Sequence, residues 1–449
     1  MTMMTERPPV TRWLAARASG MAYDDLSEAA LTVARQCILD WFAVTLPGAS
    51  EPAVRILRDD LLGDGARPVS SLLGSPERTS ALNAALINGT ASHALDFDDV
   101  NLAILGHPTV ALLPGLLALA EESGASAKDV LAAFVAGYDV MCRTGVLMSP
   151  GHYNHGFHAT ATVGTVGAAA ACSRLMNLDY ETTATAMGIA VTMASGLKSM
   201  FGTMCKPLHA GLAAQRGLQA ASLAARGFSS RPDALECAQG FAATQSADFN
   251  PEAAMAEAPF DHHIVGNLFK FHASCYLTHG AIEAALAIRE RNAISSNAVQ
   301  SITVKVSPVT DRVCNIARPA TGLEAKFSLR LTVAMALAGH DTSAIATFSD
   351  DVTGKPELVR LREAADIVFD PSFAEAQAEV SVATVDGKQF SAGFDAGVAD
   401  TDLARQGKRL ARKFDALVKP VLGDRSGALA AALGSFGSAA SIADILALA

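Results

Sequence analysis

From about Leu26 to residue 258 the sequence carries apolar residues at helical spacing almost without a break, and small side chains fill many of those positions. Leu31, Val33, Cys37, Ile38, Trp41 and Phe42 mark the first long amphipathic stretch, residues 26–46. Further helices are expected over residues 81–91, 108–123, 126–149 and 207–226. The last of these carries Gly211, Ala213, Ala214, Gly217 and Ala221, which let neighbouring helices approach closely, and Gly227 is a natural stop for it. Half of the 449 residues are hydrophobic but only 6% are aromatic. The core must therefore be built from Ala, Leu, Val and Ile, and a chain of this length can bury a large one.

After about His262 the texture changes. Residues 301–308 (SITVKVSP) alternate with period two and predict a strand, and residues 380–392 predict a hairpin closed by Asp386-Gly387. Ile367 to Phe369 supply another short strand, with helices expected near 278–292 and 325–337. From Asp402 the chain returns to helix, with Arg405, Lys408, Arg409, Arg412 and Lys413 in its first turns and an alanine-rich end. The expected fold is mainly α with a smaller α+β domain. A large all-helical domain spans 1–265, is completed by 400–449, and holds the α+β domain, 266–399, as an insertion.

The net charge of −10 argues against nucleic acid or an anionic membrane as partner. It also means that an anionic substrate needs a locally positive pocket. Seven cysteines are scattered with no C-x-x-C pair, so neither a disulfide framework nor a zinc site is expected. The first residues, MTMMTERPPVTRW, lack the apolar centre of a signal peptide. The apolar run 110–120 is interrupted by Pro114 and is too short to span a bilayer. A soluble, cytoplasmic protein is the expectation.

Three segments concentrate polar groups where helices begin: HALDFDDVNLAILGHP (93–108), GFHATATVG (156–164) and KPLHAG (206–211). Pro108 and Pro207 follow His107 and Lys206 directly, and proline favours the first helical position. If the three termini converge, Lys206, His107, His158 and free backbone N–H groups suit a small polyanion. Lys206, set against a helix N-terminus, is a base or a carboxylate clamp, unless it is simply an exposed lysine on a turn. Lys198 has a similar claim, and His209 is either a site residue or a packed core histidine. Asp96, Asp98 and Asp99 with His93 are either a cation site or solvated loop acids. His152, His155 and His158 lie three apart, but Gly151 and Gly156 oppose the helix a metal site would need. Lys270, His272, Tyr276 and His279 cluster at the start of the second domain. No P-loop, G-x-G-x-x-G or G-x-S-x-G signature is present.

Taken in order, NGTASHALDFDD (88–99), GHP (106–108), GFHATATVG, KPLHAGLAA (206–214), THGAIEA (278–284) and EAKFSLRLTVAMAL (324–337) resemble the MmgE/PrpD proteins over about residues 8–445. That family includes 2-methylcitrate dehydratase, cis-aconitate decarboxylase and iminodisuccinate epimerase. The resemblance implies a homodimer, no metal or organic cofactor, and a site in a cleft between the two domains for a small di- or tricarboxylate. It places Asp96, His107, His158 and Lys206 at the family's active-site positions and His279 at the histidine of its fifth motif. Two positions depart: Val100 replaces the threonine of DFDDT, and Leu331 replaces the tyrosine of FSLPYAVA. Losing both hydroxyls favours proton removal and return over dehydration, and so an epimerase resembling iminodisuccinate epimerase. In that reading Lys206 and His158 exchange the proton, His107 binds carboxylate, Asp96 orients a histidine and Tyr153 supplies a hydroxyl. Lys198, His209 and His279 bind substrate. A dehydratase or decarboxylase is the alternative chemistry, and a non-enzymatic helical scaffold the alternative class.

Overall fold

The computed structural model describes residues 8–63, 65–438 and 441–449. Residues 1–7, on which much of the expectation about a leader rests, lie outside them. The chain divides into two compact units, Met1–Asn267 with Asp402–Ala449, and Leu268–Thr401.

The first unit is helical, and its helices begin where the sequence offers caps. Ser27, Ser80, Ser126 and Asp179 each accept a hydrogen bond from the backbone N–H three residues on, opening Glu28–Gly48, Ala81–His93, Ala127–Met148 and Tyr180–Met193. Thr109–Ser123 ends at Gly124 in the left-handed conformation. This helix, expected over 108–123, runs through Pro114. Proline removes one helical hydrogen bond, but burial of every residue from Thr109 to Ala120 outweighs that local cost. Glu28–Gly48 and Ala127–Met148 are long and apolar enough to cross a membrane, and most of their apolar windows (78% and 94%) is buried inside this fold. The C-terminal helix Leu403–Leu422 packs on Glu28–Gly48 within the same unit.

Small residues set the spacing. Cys205–Ala225 packs against Ala81–His93 and Ala159–Leu175. At the closest crossing a Cβ on Gly211 would stand 2.2 Å from the Leu86 carbonyl oxygen and 2.5 Å from Thr90 Oγ1. Neither can retreat, because both belong to a buried helix. Gly211→Ala should therefore destabilise the protein by about 1–3 kcal/mol, read as a lower guanidinium midpoint with an unchanged slope.

The second unit holds a four-stranded sheet in the order Ala365–Phe369, Val299–Val306, Gln377–Thr384, Gln389–Asp395. The first pair is parallel and the other two antiparallel. Val299, Ile302, Val304 and Val306 are buried, so the period-two pattern maps onto one covered face. Helix His279–Asn292 packs on the Gln377–Thr384 and Gln389–Asp395 strands and on helix Leu329–Ala338.

Candidate active site

Ala81–His93 delivers His93 at its last turn, and the following loop folds back so that three carboxylates diverge. Asp96 makes the reversal possible, with φ at 51°, a conformation aspartate tolerates better than most side chains. Asp98 is buried and accepts from His93 Nδ1 at 2.9 Å and from His107 Nδ1 at 3.0 Å. His107 Nδ1 also lies 2.9 Å from the Asp99 carbonyl oxygen. Between two acceptors that nitrogen must carry the hydrogen, so His107 Nε2 is the atom left for chemistry. The Asp99 carboxylate turns the other way and caps Thr109–Ser123, accepting from Thr109 Oγ1 at 2.5 Å and Thr109 N at 3.3 Å. That helix terminus is thereby taken by the protein's own acid and offers its first N–H to no substrate, contrary to the sequence expectation.

Lys206 stands in the first turn of Cys205–Ala225 rather than before it. Its Nζ is 2.8 Å from Asp96 Oδ1, and His107 Nε2 is 3.8 Å from the same oxygen. Asp96 thus pairs directly with the lysine, and the orienting of histidines expected of it falls to Asp98. His158 caps Ala159–Leu175, with its backbone N–H donating to the Gly196 carbonyl at 3.0 Å. Its Nδ1 meets His209 Nδ1 at 3.1 Å, and among the described residues its Nε2 has no hydrogen-bond partner. The His93 ring lies 4.6 Å from that of His107 and 6.0 Å from that of His158. Phe201 touches both sides of the group, edge-on to His158 at 4.9 Å and 5.4 Å from Lys206 Nζ.

The four residues matched to the family's active site, Asp96, His107, His158 and Lys206, therefore share one locus with His93, Asp98 and His209. His93, Asp96, Asp98 and His107 each offer one ligand atom within 4.8 Å of the others. In the hydrogen-bonded arrangement both Nδ1 atoms carry hydrogen toward Asp98, and the cation held by Asp96 is the Lys206 ammonium. Tyr153 and Lys198 engage each other: Lys198 Nζ donates to the Tyr153 carbonyl at 3.0 Å and lies 3.5 Å from the centre of its ring. His152 donates and accepts within the fold, 3.0 Å from the Gln245 carbonyl and 2.6 Å from Thr162 Oγ1, while His155 is exposed. The three-histidine run is not brought together, and residues Gly151–Asn154 form a short helix despite the flanking glycines. His279 belongs to the second unit, where it is buried 4.9 Å from the His272 ring and 5.2 Å from that of Tyr276. His272 itself is fixed by Thr342 Oγ1 at 2.8 Å and Glu283 Oε1 at 3.1 Å.

A further cation missed in the sequence secures the loop from behind. Lys413, one of the basic residues that the sequence places early in the C-terminal helix, is buried. Its Nζ pairs with Asp40 at 2.6 Å and donates to the Phe97 carbonyl at 2.7 Å, one residue before Asp98.

Burial governs the electrostatics. It pushes His93 down to about 4 against the pull of Asp98. His158 is held well below the ordinary histidine range by burial and then by His93, Lys206, His107 and His209 around it. Burial also acts on Asp98, but His93 and His107 overcome it and keep that carboxylate well below its usual range. Asp99 is pushed up to about 7 by burial, against its bond from Thr109 and with added repulsion from Asp98.

His93 and Asp99 act on stability in opposite directions. Folded Asp99 keeps a proton that the unfolded chain loses near pH 4, so its contribution is full below that point and is lost as pH rises to about 7. Folded His93 refuses a proton that the unfolded chain takes near pH 6.5, so its contribution is lost as pH falls toward 4. Asp99→Asn removes the first slope and leaves the second. The variant should lose stability more steeply than the native chain between pH 7 and 4.5, as followed by denaturant midpoints.

Models of the MmgE/PrpD N-terminal and C-terminal domains match residues 12–254 and 272–433. The chain belongs to the MmgE/PrpD family. A human member of that family, a cis-aconitate decarboxylase, is 28% identical over 85% of this chain and 82% of its own length. The mouse cis-aconitate decarboxylase shows the same identity over 85% and 81%. That of Aspergillus terreus is 26% identical over 76% and 74%. The two departures from the MmgE/PrpD motifs are both buried in the fold. Val100 is 8% exposed and Leu331 is fully buried, in the same range as His209 and His158.

Proposed function

We propose that this chain is a lyase that removes CO2 from a small unsaturated tricarboxylate of the cis-aconitate type, using side chains alone. The observation that carries the reading is the Lys206 ammonium, held 2.8 Å from Asp96 and only partly exposed, beside two histidines with directed Nε2 atoms. The relatives' activities support this choice over epimerisation, which was the expectation from sequence.

Decarboxylation breaks the bond between a carboxylate carbon and its neighbour, and the electron pair stays on that neighbour. Conjugation spreads the pair into a remaining carboxylate, where Lys206 offsets the growing negative charge. A proton from His158 Nε2 then closes the carbon, so one proton is taken up for each CO2 released. His107, fixed through Nδ1 by Asp98 and the Asp99 carbonyl, binds a carboxylate of the substrate as the imidazolium, donating from Nε2–H. The setting we propose is a cytoplasmic homodimer acting on free metabolites, with no role for nucleic acid, membrane, metal or organic cofactor.

Proton NMR in D2O with cis-aconitate, 2-methylcitrate and iminodisuccinate tests the reading. Decarboxylation is expected to give an unsaturated dicarboxylate carrying one deuterium. Loss of water from 2-methylcitrate with cis-aconitate untouched would make the protein a dehydratase. Deuterium entering iminodisuccinate with no bond lost would restore the epimerase.

A further inference from the structure

Two neutral imidazoles that face each other through Nδ1 atoms 3.1 Å apart can hold only one hydrogen between them, so they must be opposite tautomers. Which ring owns that hydrogen decides whether His158 Nε2 is a lone pair or an N–H. The surroundings favour His158 as owner. His158 is the more enclosed residue, 2% exposed against 8% for His209, and a buried ring tolerates a bare Nε2 lone pair better than a bare N–H.

We propose that His209 is the positioning residue of His158: it accepts the Nδ1–H of His158 and so aims His158 Nε2 to pick up and deliver the reaction's proton. This rests on the lyase reading. The contrast with His107 gives the arrangement its chemical point. Asp98 orients His107 with a negatively charged carboxylate. His209 orients His158 with a neutral ring, which adds no charge to repel a tricarboxylate and leaves His158 the better acid. In the cycle His158 takes a proton at Nε2 from solvent before substrate binds, becoming an imidazolium whose Nδ1–H still donates to His209. The Nε2–H bond then breaks, the new C–H bond forms with the electron pair left by CO2, and His158 returns neutral with Nδ1–H in place. No proton passes through His209, whose Nε2–H is unchanged throughout.

The charged and titratable groups around His158 are His93, His107, Lys206 and His209, with Asp98 paired to His93 and His107, Asp96 to Lys206, and Arg216 acting on His209. His209→Asp replaces the neutral acceptor by an anionic one on a shorter side chain, and His209→Asn is its neutral counterpart. His209→Asp should shift the alkaline limb of kcat/KM to higher pH and raise KM for the tricarboxylate at least several-fold. His209→Asn, which keeps an acceptor oxygen, should retain far more kcat than His209→Leu. A purely packing role would give the same pH limb in all three. The resting protein supplies a second test that needs no substrate and survives failure of the lyase reading. In selectively 15N-histidine-labelled protein, the signals lost in His158→Gln should show the Nδ1–H tautomer. An Nε2–H tautomer for His158, or a His209→Asp pH limb identical to wild type, would overturn the proposal.

Discussion

Lys206→Met should lower kcat/KM for the tricarboxylate by about 10²–10³-fold, which corresponds to about 3–4 kcal/mol of transition-state stabilisation. Methionine preserves the length and the contact with Phe201 but removes the ammonium that faces Asp96 at 2.8 Å. The charge on the substrate moves from the departing carboxylate into the remaining conjugated system, so a cation fixed near that system acts more strongly on the transition state than on the bound ground state. The loss should therefore appear mainly in kcat. The fold should hardly notice, since the Asp96 side chain is 41% exposed and exposed pairs contribute only about 0–1 kcal/mol. An unchanged melting temperature with collapsed turnover is the expected combination. Undiminished turnover would remove Lys206 from the mechanism altogether. Lys206→Arg should recover little, because a planar fork cannot take the place of a compact ammonium in this geometry.

Local pattern revealed most of the elements and only part of the site. The strand predicted at 301–308 is Val299–Val306, and the 380–392 hairpin turns at Asp386-Gly387 as its alternation and turn chemistry require. These features depend on neighbours a few residues apart. The division of labour among Asp96, Asp98 and Asp99 does not. It is fixed by one left-handed residue and by where His107 and Thr109 return in space, ten residues on. Spacing alone gives all three acids the same standing, so Asp96 was credited with the role that Asp98 holds. Lys413 is the extreme case: its bond to the Phe97 carbonyl crosses 316 residues of sequence, beyond the reach of any local pattern. His209 carried an ambiguity that only the meeting of two Nδ1 atoms resolves.

His158→Gln should cost about 10²–10⁴-fold in kcat, the range for a positioned general acid, and should also change the shape of the pH profile. In the free protein burial and four surrounding nitrogen groups hold His158 well below the ordinary histidine range. The acid form is therefore scarce at neutral pH, and kcat/KM should fall tenfold per pH unit above an inflection lying under 6.5. Bound substrate brings several carboxylates next to a locus whose fixed charges are Lys206 against Asp96 and Asp98. Those carboxylates favour the imidazolium, so the corresponding inflection in kcat should lie at higher pH than in kcat/KM. The gap between the two inflections measures how strongly substrate charges His158, and by linkage binding should be tighter at pH 6 than at pH 8. Both inflections should vanish in His158→Gln, leaving a low, flat rate. If the inflections persist in the glutamine variant at the same positions, the proton comes from another group, and His107, whose Nε2 shares the locus, becomes the residue to replace next.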